Sequence, residues 1–223
     1  MRNIKKEYKK YVVSYFLLYL IFNAIIIIIK YNLIAVEAIN VIKENNFIIK
    51  PIYTVICIPL LSIIGLVILN LIPSNIKEIL IFWKTKNRLP SYRWKNKIAI
   101  KDSRINIKIL NKKYGKQISP QKQHDIWYKA YQKFKGDEVI LESQKDYLFA
   151  RDLCITTILL IPIIIVIYIY GRIYLNLELQ FIIINIMILS ILYIILNIVS
   201  RNNSNRFVCD VLLLDIASNN MLD

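Results

Sequence analysis

Residues 153–170 read Leu-Cys-Ile-Thr-Thr-Ile-Leu-Leu-Ile-Pro-Ile-Ile-Ile-Val-Ile-Tyr-Ile-Tyr, eighteen positions without Asp, Glu, Lys, Arg or His. As a helix rising 1.5 Å per residue the stretch covers about 27 Å, close to the roughly 30 Å hydrocarbon core of a bilayer. A helix lying on a soluble core carries a polar stripe with a 3.6-residue period, whereas this one is apolar on every side. Residues 11–29, 52–72 and 180–199 read the same way. The expectation is an all-α protein with four transmembrane helices.

Working outward from these runs resolves a conflict in composition. The 223 residues are 57% hydrophobic yet carry 30 basic against 15 acidic side chains. On a soluble chain a net charge of +15 would point towards nucleic acid, but soluble binders do not carry runs such as Ile163-Ile164-Ile165-Val166-Ile167. The two excesses therefore occupy different places. Arg2, Lys5, Lys6, Lys9 and Lys10 precede the first span; Lys77, Lys84, Lys86 and Arg88 follow the second; Lys133, Lys135, Lys145 and Arg151 lead into the third. The loop after the first span holds Lys30, Lys43 and Lys50, partly offset by Glu37 and Glu44, and the loop at 171–179 holds Arg172 alone. Basic residues flank spans on the cytoplasmic side. Both termini and the middle segment are thus expected in the cytoplasm of a multi-pass protein of the cell inner (plasma) membrane. The basic start could open a signal peptide, but the apolar run is too long and Lys30-Tyr31-Asn32 offers no small-residue cleavage site, so a retained anchor is expected.

The division that follows is a transmembrane hairpin at 1–72, a basic cytosolic helical domain at 73–152, a second hairpin at 153–199 and a cytosolic tail at 200–223. The middle segment has 19 basic and 8 acidic residues. At about 80 residues it is near the lower size for a core of its own, and support from the membrane or other subunits is expected. Ser74 and Asn75 can cap a helix over 76–86, which Leu89-Pro90 ends, because a residue before proline is pushed out of the α region. Ile105-Asn106-Ile107-Lys108-Ile109 alternates like a strand, yet Asp102-Ser103 can cap a short helix there, and the helix is favoured. Ser119-Pro120 is a cap followed by a proline at the first helical position; Trp127, Ala130, Tyr131 and Phe134 then form a buried stripe. Gly136 closes that helix, and Asp137 can cap the next, which is read as running on into the third span.

Hydrolytic and metal chemistry find little support. No nucleophile elbow, Walker lysine or HExxH occurs. Cys57, Cys154 and Cys209 show no CxxC spacing, and His124 is the one histidine, so neither a metal nor a cofactor is expected. His124-Asp125 reads as a pair on a solvated helix face rather than an acid–base couple. If the protein were a membrane-bound enzyme acting on a lipid or nucleotide headgroup, Asp102, Asp146 and Asp152 would be its carboxylates. Inside the spans the polar residues singled out are Asn23, Asn70, Asn185 and Asn197, with Ser190 beside them. Asn can bond helices together in lipid or line a pore, and the first role is favoured. Pro59 and Pro162 are candidate kinks, with a gating hinge as the sharper reading.

The basic middle segment admits three readings. It faces the anionic inner leaflet of the bilayer, or it binds a nucleotide, or it holds RNA or a protein partner. For the ligand readings Arg88, Arg93 and Arg104 supply forked donors, and Tyr92, Trp94, Trp127 and Tyr128 supply stacking faces. Arg88-Leu89-Pro90 with Arg93, Lys101-Asp102-Ser103-Arg104-Ile105, Trp127-Tyr128, and Tyr147-Leu148-Phe149 ahead of Arg151-Asp152 resemble a pattern in small bacterial four-span membrane proteins. The resemblance covers the middle segment only, and no established activity attaches to that family. This chain has Ser91 where the pattern has Gly, and Asp125-Ile126 where it has Asn. Asp102, Arg151 and Asp152 are read as motif residues or a structural ion pair, Arg104 with Asp152 being one pairing. The expected function is that of a non-enzymatic homo-oligomeric effector or regulator that senses a cytosolic nucleotide, RNA or protein signal and alters the membrane. In outline it is similar to small effectors of bacterial antiviral defence, a likeness of architecture alone. The alternatives are the headgroup enzyme and a membrane scaffold for a soluble partner.

Overall fold

The computed structural model describes residues 2–38, 67, 70–175 and 177–220, with side chains for 8–27, 67, 70–173 and 177–218. Among these residues there are helices and no strands. In chain order they are α1 (Arg2–Ala38), α2 (Ser74–Phe82), α3 (Ile107–Tyr114), α4 (Pro120–Phe134), α5 (Glu138–Leu175) and α6 (Leu179–Asn220). Three of them, over Tyr8–Ile27, Glu138–Ile173 and Leu179–Ser218, are long and apolar enough to cross a membrane. Most of the apolar run at 52–72, with Pro59 and Cys57, lies outside the described residues.

Local chemistry explains the helix boundaries. Asn106 Oδ1 accepts from the amides of Lys108 (3.0 Å) and Ile109 (3.4 Å), so α3 is capped there and not at Asp102-Ser103. It ends at Gly115, whose φ of 81° is open to glycine without strain. Ser119 Oγ accepts from Lys122 N at 3.3 Å with Pro120 in the first turn, as the spacing predicts for α4. Asp137 Oδ1 accepts from Val139 N at 3.0 Å and opens α5, which continues through Arg151 and Pro162. α2 begins at Ser74 behind Pro73, has no side-chain cap, and stops at Phe82, four residues short of the expected end. Trp83 adopts a left-handed conformation there, with φ 52°, and its amide turns back to Ile79 O at 2.8 Å. Between Pro90 and Lys101 the chain forms short 3-10 turns around one wide π turn at Trp94–Ile98.

The chain packs as two compact units. The apolar unit comprises 9–72 and 155–194. Phe16, Leu20, Ala24 and Ile27 on one face of α1 bury against Leu160, Ile164 and Ile167 of α5 and Phe181 and Leu189 of α6. Leu18, Ile21, Phe22 and Ile25 of α1 point outwards, as do Ile184, Met187 and Ile191 of α6. A surface that apolar suits a lipid environment. Gly171 and Leu177 close the turn between α5 and α6, and a Cβ at 171 would run into the Leu177 side chain.

The polar unit comprises 1–8, 73–154 and 195–223, and the expected tail at 200–223 is helical through Asn220 and contributes to its core. Trp127 and Tyr131 of α4 stack at 5.6 Å, and Phe207 of α6 meets both edge-on at 5.5 and 5.7 Å. Trp94, Leu110, Ile140, Val211 and Leu212 are wholly buried in the same unit.

Candidate functional site

The sequence-predicted donors divide into three environments. Arg88 is occupied by Glu78, its Nε 2.9 Å from Oε2, and donates to Thr85 O at 3.3 Å. Trp127 is buried and packed on Tyr131 and Phe207, as the amphipathic stripe in the sequence signals. Tyr128 is exposed, with its ring 6.2 Å from His124. His124 in turn stacks on Tyr92 at 4.3 Å and lies 2.8 Å from Ser91 Oγ through Nδ1. Burial lowers its pKa, so the ring is neutral near pH 7. Ser91 is itself buried and Asp125 faces solvent, so these groups form a packing corner without the access that a nucleophile needs.

Arg93 and Arg104 do come together, on the wall of an open depression of about 480 Å³. Lys97, Lys101 and Arg206 add three further cations and Asp102 the one carboxylate of its lining. Asn205 and Cys209 of α6 complete the far wall. Arg104 grips Asp102 as a fork, Nε to Oδ1 at 3.0 Å and Nη2 to Oδ2 at 2.7 Å, while Nη1 donates to Asp210 Oδ1 at 2.8 Å. The hydrogen bonds from Arg104 hold the Asp102 carboxyl at about 2, and in return Asp102 and Asp210 raise the guanidinium. Asp210 is also 3.7 Å from Arg206, which lies 4.0 Å from Asp146. Charges therefore alternate along Asp102, Arg104, Asp210, Arg206 and Asp146. Arg104 is paired in this ladder and not with Asp152.

Asp152 sits in a separate buried box. Arg151 Nη2 is 2.9 Å from its Oδ1, Lys77 Nζ approaches the same oxygen at 3.4 Å, and Tyr8 donates to Oδ2 at 3.3 Å. The three carboxylates of the enzyme reading are each held by a different cation. A third cluster, not singled out from the sequence, joins Lys113 and Tyr114 of α3 to Asp215 of α6, with Lys113 Nζ 2.6 Å from the carboxylate.

The Asn residues singled out in the apolar runs are each hydrogen-bonded. Asn23 and Asn185 each return an amide to the carbonyl four residues back, Tyr19 O and Phe181 O, both at 2.9 Å. Tyr19 donates to Asn185 Oδ1 at 2.8 Å and so links α1 to α6. Lys9 donates to Asn70 at 2.8 Å. Asn197 donates to the carbonyls of Leu80 and Ile81 at 3.5 and 3.0 Å, and Arg201, one turn on, reaches Ile81 O at 2.8 Å. These two side chains of α6 cap the carbonyl end of α2. No protein-family model, no curated protein and no solved structure matches the chain.

Proposed function

We propose that the chain is a four-span inner-membrane protein, an effector or regulator of the antiviral-defence type, with the polar unit and both termini in the cytoplasm. It works as a homo-oligomer and changes the state of the membrane when an anionic cytosolic signal binds the polar unit. A fourth crossing, at 52–72, is supported by three contacts. Tyr8 and Lys77 both meet Asp152, and Lys9 meets Asn70. These contacts favour a chain that leaves one side along α1 and is back on that side by residue 70. The cytoplasmic placement rests on the positive residues at 2–10 and 77–88.

The observation that carries the reading is the basic depression whose walls are the Arg93–Arg104 segment and α6, the helix that also contains the apolar run 180–199. A ligand seated there contacts an element that continues into the membrane without Pro or Gly, the residues at which helices bend. Purified chain reconstituted into dye-loaded liposomes tests this. Addition of cytosolic nucleotides, cyclic oligonucleotides or RNA is expected to raise dye leakage, and Arg93→Gln is expected to suppress the rise. Unchanged permeability with all three classes would overturn the reading.

A further inference from the structure

The ion pairs of the polar unit do not use all of its cations. Lys84, Arg93, Lys97 and Arg201 make no ion pair with a carboxylate among the described residues. They are nevertheless neighbours. Lys84 is lowered in pKa first by Arg93, then by burial and by Lys97 and Arg201; Arg93 is lowered by burial and then by Arg201. Like charges held this close destabilise one another unless an anion joins them. Two of the four are fixed by aromatic faces: the Arg93 guanidinium lies 6.0 Å from the Phe82 ring and that of Arg201 lies 4.4 Å from the Trp83 ring. These contacts use the flat faces and leave the edges, where the N–H donors are.

Arg201 makes the clearest demand. Its Nε is satisfied by Ile81 O, but Nη2 is buried with no hydrogen-bond partner among the described residues. A buried guanidinium nitrogen without an acceptor is costly. The carbonyl end of α2 does not account for the cluster, because a helix terminus offers about half a negative charge and four cations gather here. Arg93 and Lys97 also line the depression, so the cluster opens to solvent on that side.

We infer that Lys84, Arg93, Lys97 and Arg201 form a seat for a phosphate group, belonging either to a soluble nucleotide or to an anionic lipid headgroup. Forked guanidinium edges suit the tetrahedral oxygens, and the lysines add charge without fixed geometry. This deepens the proposed function by naming the chemistry of its signal, and it is separable from it: phosphate binding without a change in permeability would leave the seat standing and overturn the gating.

The full chain in phosphatidylcholine nanodiscs, titrated calorimetrically with pyrophosphate, tests the seat. Saturable binding is expected, weakened about tenfold by Arg93→Gln and by the double change Lys84→Gln and Lys97→Gln. The lysines are exposed, so the double variant keeps its fold even if other changes here do not. Lys108→Gln with Lys112→Gln, an equal loss of charge on the exposed face of α3, is expected to leave binding unchanged. A second arm uses discs of three parts phosphatidylcholine to one part phosphatidylglycerol. Competition there, absent in the double variant, identifies the lipid as the source; equal binding in both discs identifies a soluble ligand. The absence of saturable binding in the first discs, or the same weakening by the α3 pair, would overturn the seat.

Discussion

Asp102 is held by one arginine through three hydrogen bonds, from the backbone amide of Arg104 and from two nitrogens of its side chain. That grip has a sign in pH. Its carboxyl lies at about 2 in the folded chain against an ordinary 3.8, so the unfolded chain takes up its proton first on acidification. The contribution to stability is complete above about pH 4 and is lost as pH falls towards 2. Thermal melts of the detergent-solubilised chain are expected to drop over that window, and to drop less in Asp102→Asn, which starts from a lower melting temperature. An equal drop in both would show that other carboxylates dominate. Arg93 and Arg104 were legible from the sequence as forked donors, but not their division of labour. Asp210, the second partner of Arg104, is 106 positions away, and no local pattern announces a contact at that separation.

At the scale of the element, caps decide where the helices of the polar unit begin. Asn106→Ala removes the acceptor of two α3 amides and is expected to cost about 1 kcal/mol, read as a fall in melting temperature. Asp102→Ala should leave α3 itself intact, because it does not cap that helix; amide hydrogen exchange over 107–114 distinguishes the two variants. α4 and the start of α5 were readable in advance because Ser119-Pro120 and Asp137 act on amides two or three residues away. α2 ends early for a reason that lies outside it. Its last carbonyls are taken by Asn197 and Arg201, and Trp83 turns out of the helix beneath the Arg201 guanidinium. Trp127, read both as a core stripe and as a ligand platform, belongs to the core because Phe207 arrives from α6.

For the molecule as a whole, apolar runs are legible because lipid demands them over about 20 consecutive residues, whatever the rest of the fold does. The tail is the opposite case. Residues 200–223 show no such run and read only as a cytosolic tail; in the structure Phe207, Asp210, Val211 and Leu212 are buried within the polar unit, where Asp215 also binds α3. A chain truncated after Val199 is therefore expected to keep its apolar helices and lose the polar unit. Trypsin should then cleave rapidly at Lys108, Lys112 and Lys129, while the full chain resists; equal resistance would show that residues 73–154 form a core without the tail.

The capping of α2 by α6 also has a history in time. Ile81 leaves the ribosome 116 residues before Asn197, its hydrogen-bond partner, and at 5–20 residues per second that gap lasts roughly ten seconds. Throughout it the carbonyl end of α2 lacks the helix that caps it, and the aromatic pair on α4 waits in the same way for Phe207. The polar unit is thus completed only after synthesis of α6, later than the apolar run 180–199 in the same helix.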